Sequence, residues 1–385
     1  MANDHQSYFH FLVAKFYRNY RRYQIAKLIT WEPLPPLEEG CTAIIGMCSR
    51  IPYILGANLY CLSKNHWSDL KAIIIAVDAE KSSLPVGFEA EMIKQFPELK
   101  LTFIYYNHQQ AQFTARFNDP YIYSWLSWSL CLNHIRTKTA LIQDYDALIL
   151  GKDILAKRYQ VFIESGSKMQ GIAWYKNNNF RVEDHLATTF EAFIDVNWIR
   201  SFPPVMGHNK FGIFKGRQVN YDTYLDIQAN YTPEHQRTIM PMGLEDLAHP
   251  SNLITQYMRF RNSPGKPSLC FSIPMLPFFY YLAGRTNAFT IATQALQRGN
   301  PEQVDLLGDG VQMNLTLLDI ASIDFNLKLI LQVLLRYEIK PFKALIDYGI
   351  ALYQIIKTPV EQIWLGDFTP AQREWIEAAK EGHHD

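Results

Sequence analysis

The chain has 385 residues, 48% of them hydrophobic and 19% charged, a balance that excludes intrinsic disorder and suffices for two domains. Lysine plus arginine and aspartate plus glutamate both number 37, so no bulk charge draws a polyanion and nucleic acid is not an expected partner. Five scattered cysteines (41, 48, 61, 131 and 270) form no CxxC pair, which speaks against a zinc site or a secreted disulfide framework and for reduced thiols in a cytoplasmic protein.

The N-terminus lacks the apolar run and small-residue cleavage site of a signal peptide. Residues 7–29 predict an amphipathic helix: Phe9, Leu12, Val13, Phe16, Tyr20 and Tyr23 share one face, and Lys15, Arg18, Arg21 and Arg22 fall opposite. Two readings stand. Either the aromatic face docks on its own domain with a solvated charged back, or residues 7–29 make a peripheral contact with an anionic membrane, at its inner face. Pro33, Pro35 and Pro36 then mark a linker.

Beyond the linker, strands are expected at 42–47, 72–77 and 99–106, alternating with helices at 54–64 and 88–96. A helix over 121–135 leads to a strand at 139–143, and short strands are expected at 170–175 and 211–214. Alternation of this kind builds βαβ units and a mostly parallel sheet. After about residue 266 the pattern turns helical, with strong periods over 324–338 and 342–357 on either side of Pro341. The apolar run from Leu269 to Gly284, about 16 residues with Pro274 and Pro277 inside it, is too short to span a bilayer and reads as buried wall. Three regions are therefore expected: a helical arm and linker (1–39), a catalytic domain (40–265) and a mainly helical C-terminal region (266–385).

The segment richest in chemistry is Thr139-Ala-Leu-Ile-Gln-Asp144-Tyr-Asp146-Ala-Leu-Ile-Leu150. A hydrophobic strand runs into two carboxylates spaced i, i+2, which extended backbone points the same way. Ligands of open α/β sheets bind at strand C-termini. Mg²⁺ or Mn²⁺ takes one or two protein carboxylates together with phosphate oxygens, so the spacing suits a cation bridging protein to diphosphate.

These residues resemble the GT-A glycosyltransferases, whose Rossmann-like fold uses sugar nucleotides. Thr42-Ala-Ile-Ile-Gly-Met-Cys-Ser-Arg50 is similar to the family's first strand and nucleotide loop, Ala72-Ile-Ile-Ile-Ala-Val-Asp78 to its second strand, 139–150 to its DxD strand, and Val205–Phe214 to a later strand near the acceptor. The resemblance covers about half the chain. It implies a mostly parallel sheet flanked by helices and transfer of a sugar from a nucleotide-sugar donor, UDP-linked by preference, to a carbohydrate or lipid-linked acceptor. It implies that Asp144 and Asp146 hold Mn²⁺ or Mg²⁺ and the diphosphate, with Asp78 accepting a hydrogen bond from base or ribose and Arg50 steering phosphate. Gly243-Leu-Glu245-Asp246 resembles the Glu-Asp pair from which inverting members take their base, although His249-Pro250 follows it here. His208 and His249 are candidates to complete the metal shell, and Trp125, Trp128 and Trp174 candidates to stack on sugar or base. Two rivals are a GT-A-like scaffold without activity, docking on membranes, and a haloacid-dehalogenase-like phosphohydrolase, whose DxD normally lies near the chain start.

Overall fold

The structure, a computed structural model, describes residues 7–65, 67–172, 186–240, 246–340 and 342–381. The chain opens with helix α1 (Tyr8–Ile25), followed by β1 (Glu38–Met47), α2 (Ile54–Lys64) and β2 (Leu70–Val77). Next come α3 (Phe88–Gln95), β3 (Leu101–Tyr105), α4 (His108–Phe117), α5 (Pro120–His134) and β4 (Thr137–Asp144). The middle of the chain holds β5 (Leu148–Ile149), α6 (Ile154–Ser165), β6 (Met169–Ile172), β7 (Glu191–Asp195) and α7 (Val196–Arg200). It continues with β8 (Lys210–Phe214), β9 (Arg217–Tyr221), α8 (Leu225–Tyr231) and β10 (Arg237–Met240). The rest is β11 (Leu247–Ala248), α9 (Leu253–Asn262), α10 (Leu276–Leu282), α11 (Ala288–Gln297), α12 (Ile320–Arg336), α13 (Lys343–Ile355) and α14 (Pro370–Lys380).

These elements form two compact units. One comprises Met1–Arg50, Asn65–Tyr145 and Lys152–Gly243, the other Ile51–Lys64, Asp146–Gly151 and Leu244–Asp385.

The first unit is built on a seven-stranded sheet in the order β10-β6-β7-β4-β1-β2-β3. β1, β2, β3 and β4 run parallel, as do β6 and β10, while β7 is antiparallel to both its neighbours. This is the mostly parallel sheet flanked by helices that the sequence led us to expect. The isoleucine-rich β1 and β2 are buried on both faces, as parallel strands covered by helices must be. α5 supplies much of that cover: Trp128, Cys131 and Leu132 pack among Ile44, Ile74 and Ile142. Local signals start the helices. Asn107 and Gln110 form a capping box for α4, and Asp119 with Pro120 caps α5.

The second unit is mainly helical. Its core includes Phe289 of α11 against Tyr348 of α13, with ring centroids 5.3 Å apart. The Tyr348 hydroxyl donates to the Pro274 carbonyl at 2.8 Å, tying the apolar run 269–284 into that core. Among the described residues, no helix is long and apolar enough to cross a membrane.

One expectation is reversed. Helix α1 does pack on its own unit, but its arginines face inward and its aromatic side faces out, so the charged back is not the solvated one.

Candidate active site

The parallel register sets out the rim of the first unit. Gly46 of β1 lies directly between Ala76 of β2 and Asp144 of β4, so these three strands end level with one another. A side chain at Gly46 would meet the Ser127 Cβ at 2.9 Å, so α5 approaches the rim closely there. The residues that leave the strands at this level are Cys48, Ser49 and Arg50 after β1, Asp78 after β2, and Asp144 as the last residue of β4.

Asp78 organises the loop beside it. Its Oδ1 accepts the Ser49 N–H at 2.7 Å, and its own N–H donates to the Met47 carbonyl at 3.1 Å. Burial pushes the Asp78 carboxyl above the usual carboxylate range, and hydrogen bonds from Ser49 and Cys48 and the charge of Arg50 partly offset this. Arg50 itself is exposed. The signal for Ser49 and Cys48 was present in the strand-then-loop pattern of 42–50, yet a backbone donor has no residue type to betray it.

Asp144 is fixed from β7, whose Phe190-Glu191 entry the sequence did not reveal: the Asp144 N–H donates to the Phe190 carbonyl at 3.0 Å. Two residues later the chain is gripped within the second unit. β5 pairs antiparallel with β11, and the Leu150 N–H donates to the Asp246 carbonyl at 2.8 Å. The Asn58 amide donates to the Ala147 carbonyl at 3.0 Å, and the Tyr337 hydroxyl to the Ile149 carbonyl at 2.6 Å. β11 runs straight into His249, and this places its Nε2 at 3.5 Å from Asp146 Oδ1, with both side chains 9% exposed.

Asp146 and His249 thus bring a carboxylate oxygen and an imidazole nitrogen together, and Asp144 precedes this pair by two residues in the chain. A carboxylate and an imidazole make a mixed oxygen and nitrogen donor set. Mn²⁺ accepts such a set readily, and Mg²⁺ prefers oxygen alone. The residues present therefore fit a divalent cation.

His208 is not brought into this group. It is fully buried in the first unit, with its ring edge-on to Trp125 at 5.7 Å and its Nδ1 3.0 Å from the Asn209 carbonyl oxygen. Burial, reinforced by Arg22 and Arg18, pushes its pKa down to about 3, so the ring is neutral. Trp125 and Trp128 are core residues: the first donates to the Pro204 carbonyl at 2.7 Å and the second stacks on Tyr224. Trp174 and Glu245 lie outside the described residues. Asp246 is described and partly exposed, its main chain held by Leu150 as above.

No family model matches the sequence, and none of the curated proteins does. Among solved structures, the chain is similar to the mannosyltransferase PcManGT from Pyrobaculum calidifontis in complex with GDP-Man and Mn²⁺, at 12% identity and a TM-score of 0.37, over 74% of this chain and 84% of that one. It is similar to TarS 1-349 of S. aureus at 12% identity and a TM-score of 0.35, over 90% and 92% of the two chains. For the same fragment in complex with UDP the values are 12%, 0.32, 89% and 92%.

Proposed function

We propose that this chain is a metal-dependent GT-A-type glycosyltransferase that moves a sugar from a nucleotide-sugar donor, UDP-linked by preference, to an acceptor hydroxyl on a carbohydrate or a lipid-linked carrier. The observation that carries the reading is the pairing of Asp146, two residues after β4 ends at Asp144, with His249, whose Nε2 lies 3.5 Å from the Asp146 Oδ1. Asp146 and His249 would hold Mn²⁺ or Mg²⁺, and the chemistry the ion would supply there is charge neutralisation for a departing diphosphate.

The other residues have roles that follow from their surroundings. Asp78, already accepting the Ser49 N–H and poorly hydrated, suits a further hydrogen bond from ribose or base. The Arg50 guanidinium is exposed on the adjoining loop, where it is free to fork onto phosphate oxygens. An acceptor hydroxyl is a weak nucleophile until its proton is being removed, and Asp246, with Glu245 beside it in the sequence, is the carboxylate we assign to that task. The bond from Leu150 to the Asp246 carbonyl joins this base to the segment that begins at Asp146, so both move as one piece.

The test is a donor-hydrolysis screen across UDP-, GDP- and dTDP-sugars with Mn²⁺, repeated on Asp146→Asn. We expect turnover of one donor class in the wild type, and calorimetric UDP binding in the presence of Mn²⁺ weakened about a hundredfold in the variant, roughly 2.7 kcal/mol. Equal Mn²⁺-dependent binding by both proteins would remove the assignment.

A further inference from the structure

Helix α1 is mounted the opposite way round from a helix that serves only its own core. Two lines of side chains with the same spacing run along it. Phe11, Arg18, Arg22 and Ile25 face the body, whereas Phe9, Leu12, Phe16, Tyr20 and Tyr23 begin two residues earlier, about 200° round the helix, and face away. Phe9 and Phe16 are each 69% exposed and Tyr23 81%.

The inward arrangement is specific. The Arg18 guanidinium lies over the rings of Tyr121 and Phe211 at 5.3 and 5.1 Å, Arg22 donates to the His208 carbonyl at 2.8 Å, and Arg21 pairs with Asp119. Burial pushes the pKa values of Arg18 and Arg22 down, which marks a desolvation cost. Turned by half a revolution, the same helix would bury its aromatics and hydrate its arginines. Hydrophobicity alone favours that orientation. Arginine contacts hold the opposite one, and so they present the aromatic face outward.

We propose that this outward face of α1 lies flat on an anionic lipid bilayer. Charge selects the occupant. From Ser7 to Trp31 the sequence has five basic residues and no acidic one, and with the three arginines engaged inward it is Lys15 and Lys27 that remain for a partner. Lys15 is partly exposed on the flank of the helix and Lys27 is exposed just beyond it, where both reach headgroup phosphates as the rings enter the interface. Mixed phenylalanine and tyrosine suits that depth, with apolar ring bodies and hydroxyls near water. A second copy of the chain docking through this face would bring Lys15 and Lys27 against a segment, Ser7 to Trp31, that offers no acid to pair with them.

Flotation of the full chain with phosphatidylcholine vesicles, with and without phosphatidylglycerol, tests this. The wild type should float with the anionic vesicles, less so as salt rises. The variant Phe9→Ser/Phe16→Ser/Tyr23→Ser should lose on the order of tenfold or more in partition while keeping its circular dichroism, since none of these rings is packed inward. If that variant fails to fold, Lys15→Glu/Lys27→Glu still decides, with a selective loss from anionic vesicles expected. Equal flotation on neutral and anionic vesicles, equal flotation of wild type and variants, or a dimer abolished by the triple substitution in a protein that never floats would each overturn the proposal.

Discussion

Asp146 owes its position to main-chain hydrogen bonds on segments far away in the sequence, and its partner His249 comes with that clasp. We expect His249→Ala to weaken Mn²⁺-dependent UDP binding less than Asp146→Asn does in the same calorimetric assay, because a carboxylate is the harder ligand and carries the charge. His208, which shares the residue type, has an opposite fate. Its unfolded form takes a proton near pH 6.5, its folded form only near 3. Between those values the unfolded chain binds more protons, so the stability from neutral His208 is complete above about pH 6.5 and is lost as the pH falls toward 3, by at most roughly 1.4 kcal/mol per unit. His208→Gln should flatten that limb, measured as the melting-temperature difference between pH 7.5 and 4.5 in wild type and variant. An unchanged difference would mean that His208 does not govern the acid limb. Sequence offered no means of sorting the two histidines. Neither belongs to a metal-binding sequence pattern, and only burial and a carboxylate neighbour tell them apart.

At the level of elements, β7 is the piece the site depends on and the sequence pattern hides. It begins at Glu191, directly opposite Gln143 of β4, and this acid is 2% exposed because Arg158 of α6, itself 3% exposed, pairs with it. Removing Arg158 takes its positive charge away from a buried carboxylate, so Arg158→Met is expected to cost about 3–5 kcal/mol, while Arg158→Met/Glu191→Met together should recover much of the loss. Chemical denaturation of the three variants checks this, and a double variant as unstable as the single one would show that packing of the arginine stem, not charge, is what matters. The parallel strands and their crossover helices were legible because isoleucine runs and 3.6-residue periods belong to the local sequence. The α2 bounds read from the sequence, 54–64, are those found, and β1, β2 and β4 start at most four residues before their expected positions. α4 was missed although Asn107 and Gln110 carried its capping box, since its polar surface blurs the apolar period. β7 was missed because an acid at a strand entry reads as a turn until its arginine is seen.

For the whole molecule, a cation that binds the folded Asp146–His249 pair and not the unfolded chain must raise stability by mass action. Mn²⁺ at a hundred times its dissociation constant should add about 2.7 kcal/mol and a few degrees to the melting temperature. EDTA should reverse the shift and Asp146→Asn should abolish it; a shift that persists in the variant would place the cation elsewhere. What sequence determined without help was the class of fold, the paired acids at a strand end and the amphipathic character of residues 7–29. All three are properties of neighbours along the chain, fixed by side-chain periodicity and backbone geometry. What only the tertiary structure decided was which histidine stands beside Asp146, what holds Asp144 level with Gly46 and Ala76, and which way α1 faces. These depend on contacts between residues that are far apart in the chain, for which a single sequence carries no distance information. For α1 the reason is sharper still. Periodicity specifies two faces and the angle between them, and Tyr121, Phe211, Asp119 and the His208 carbonyl choose which one turns inward.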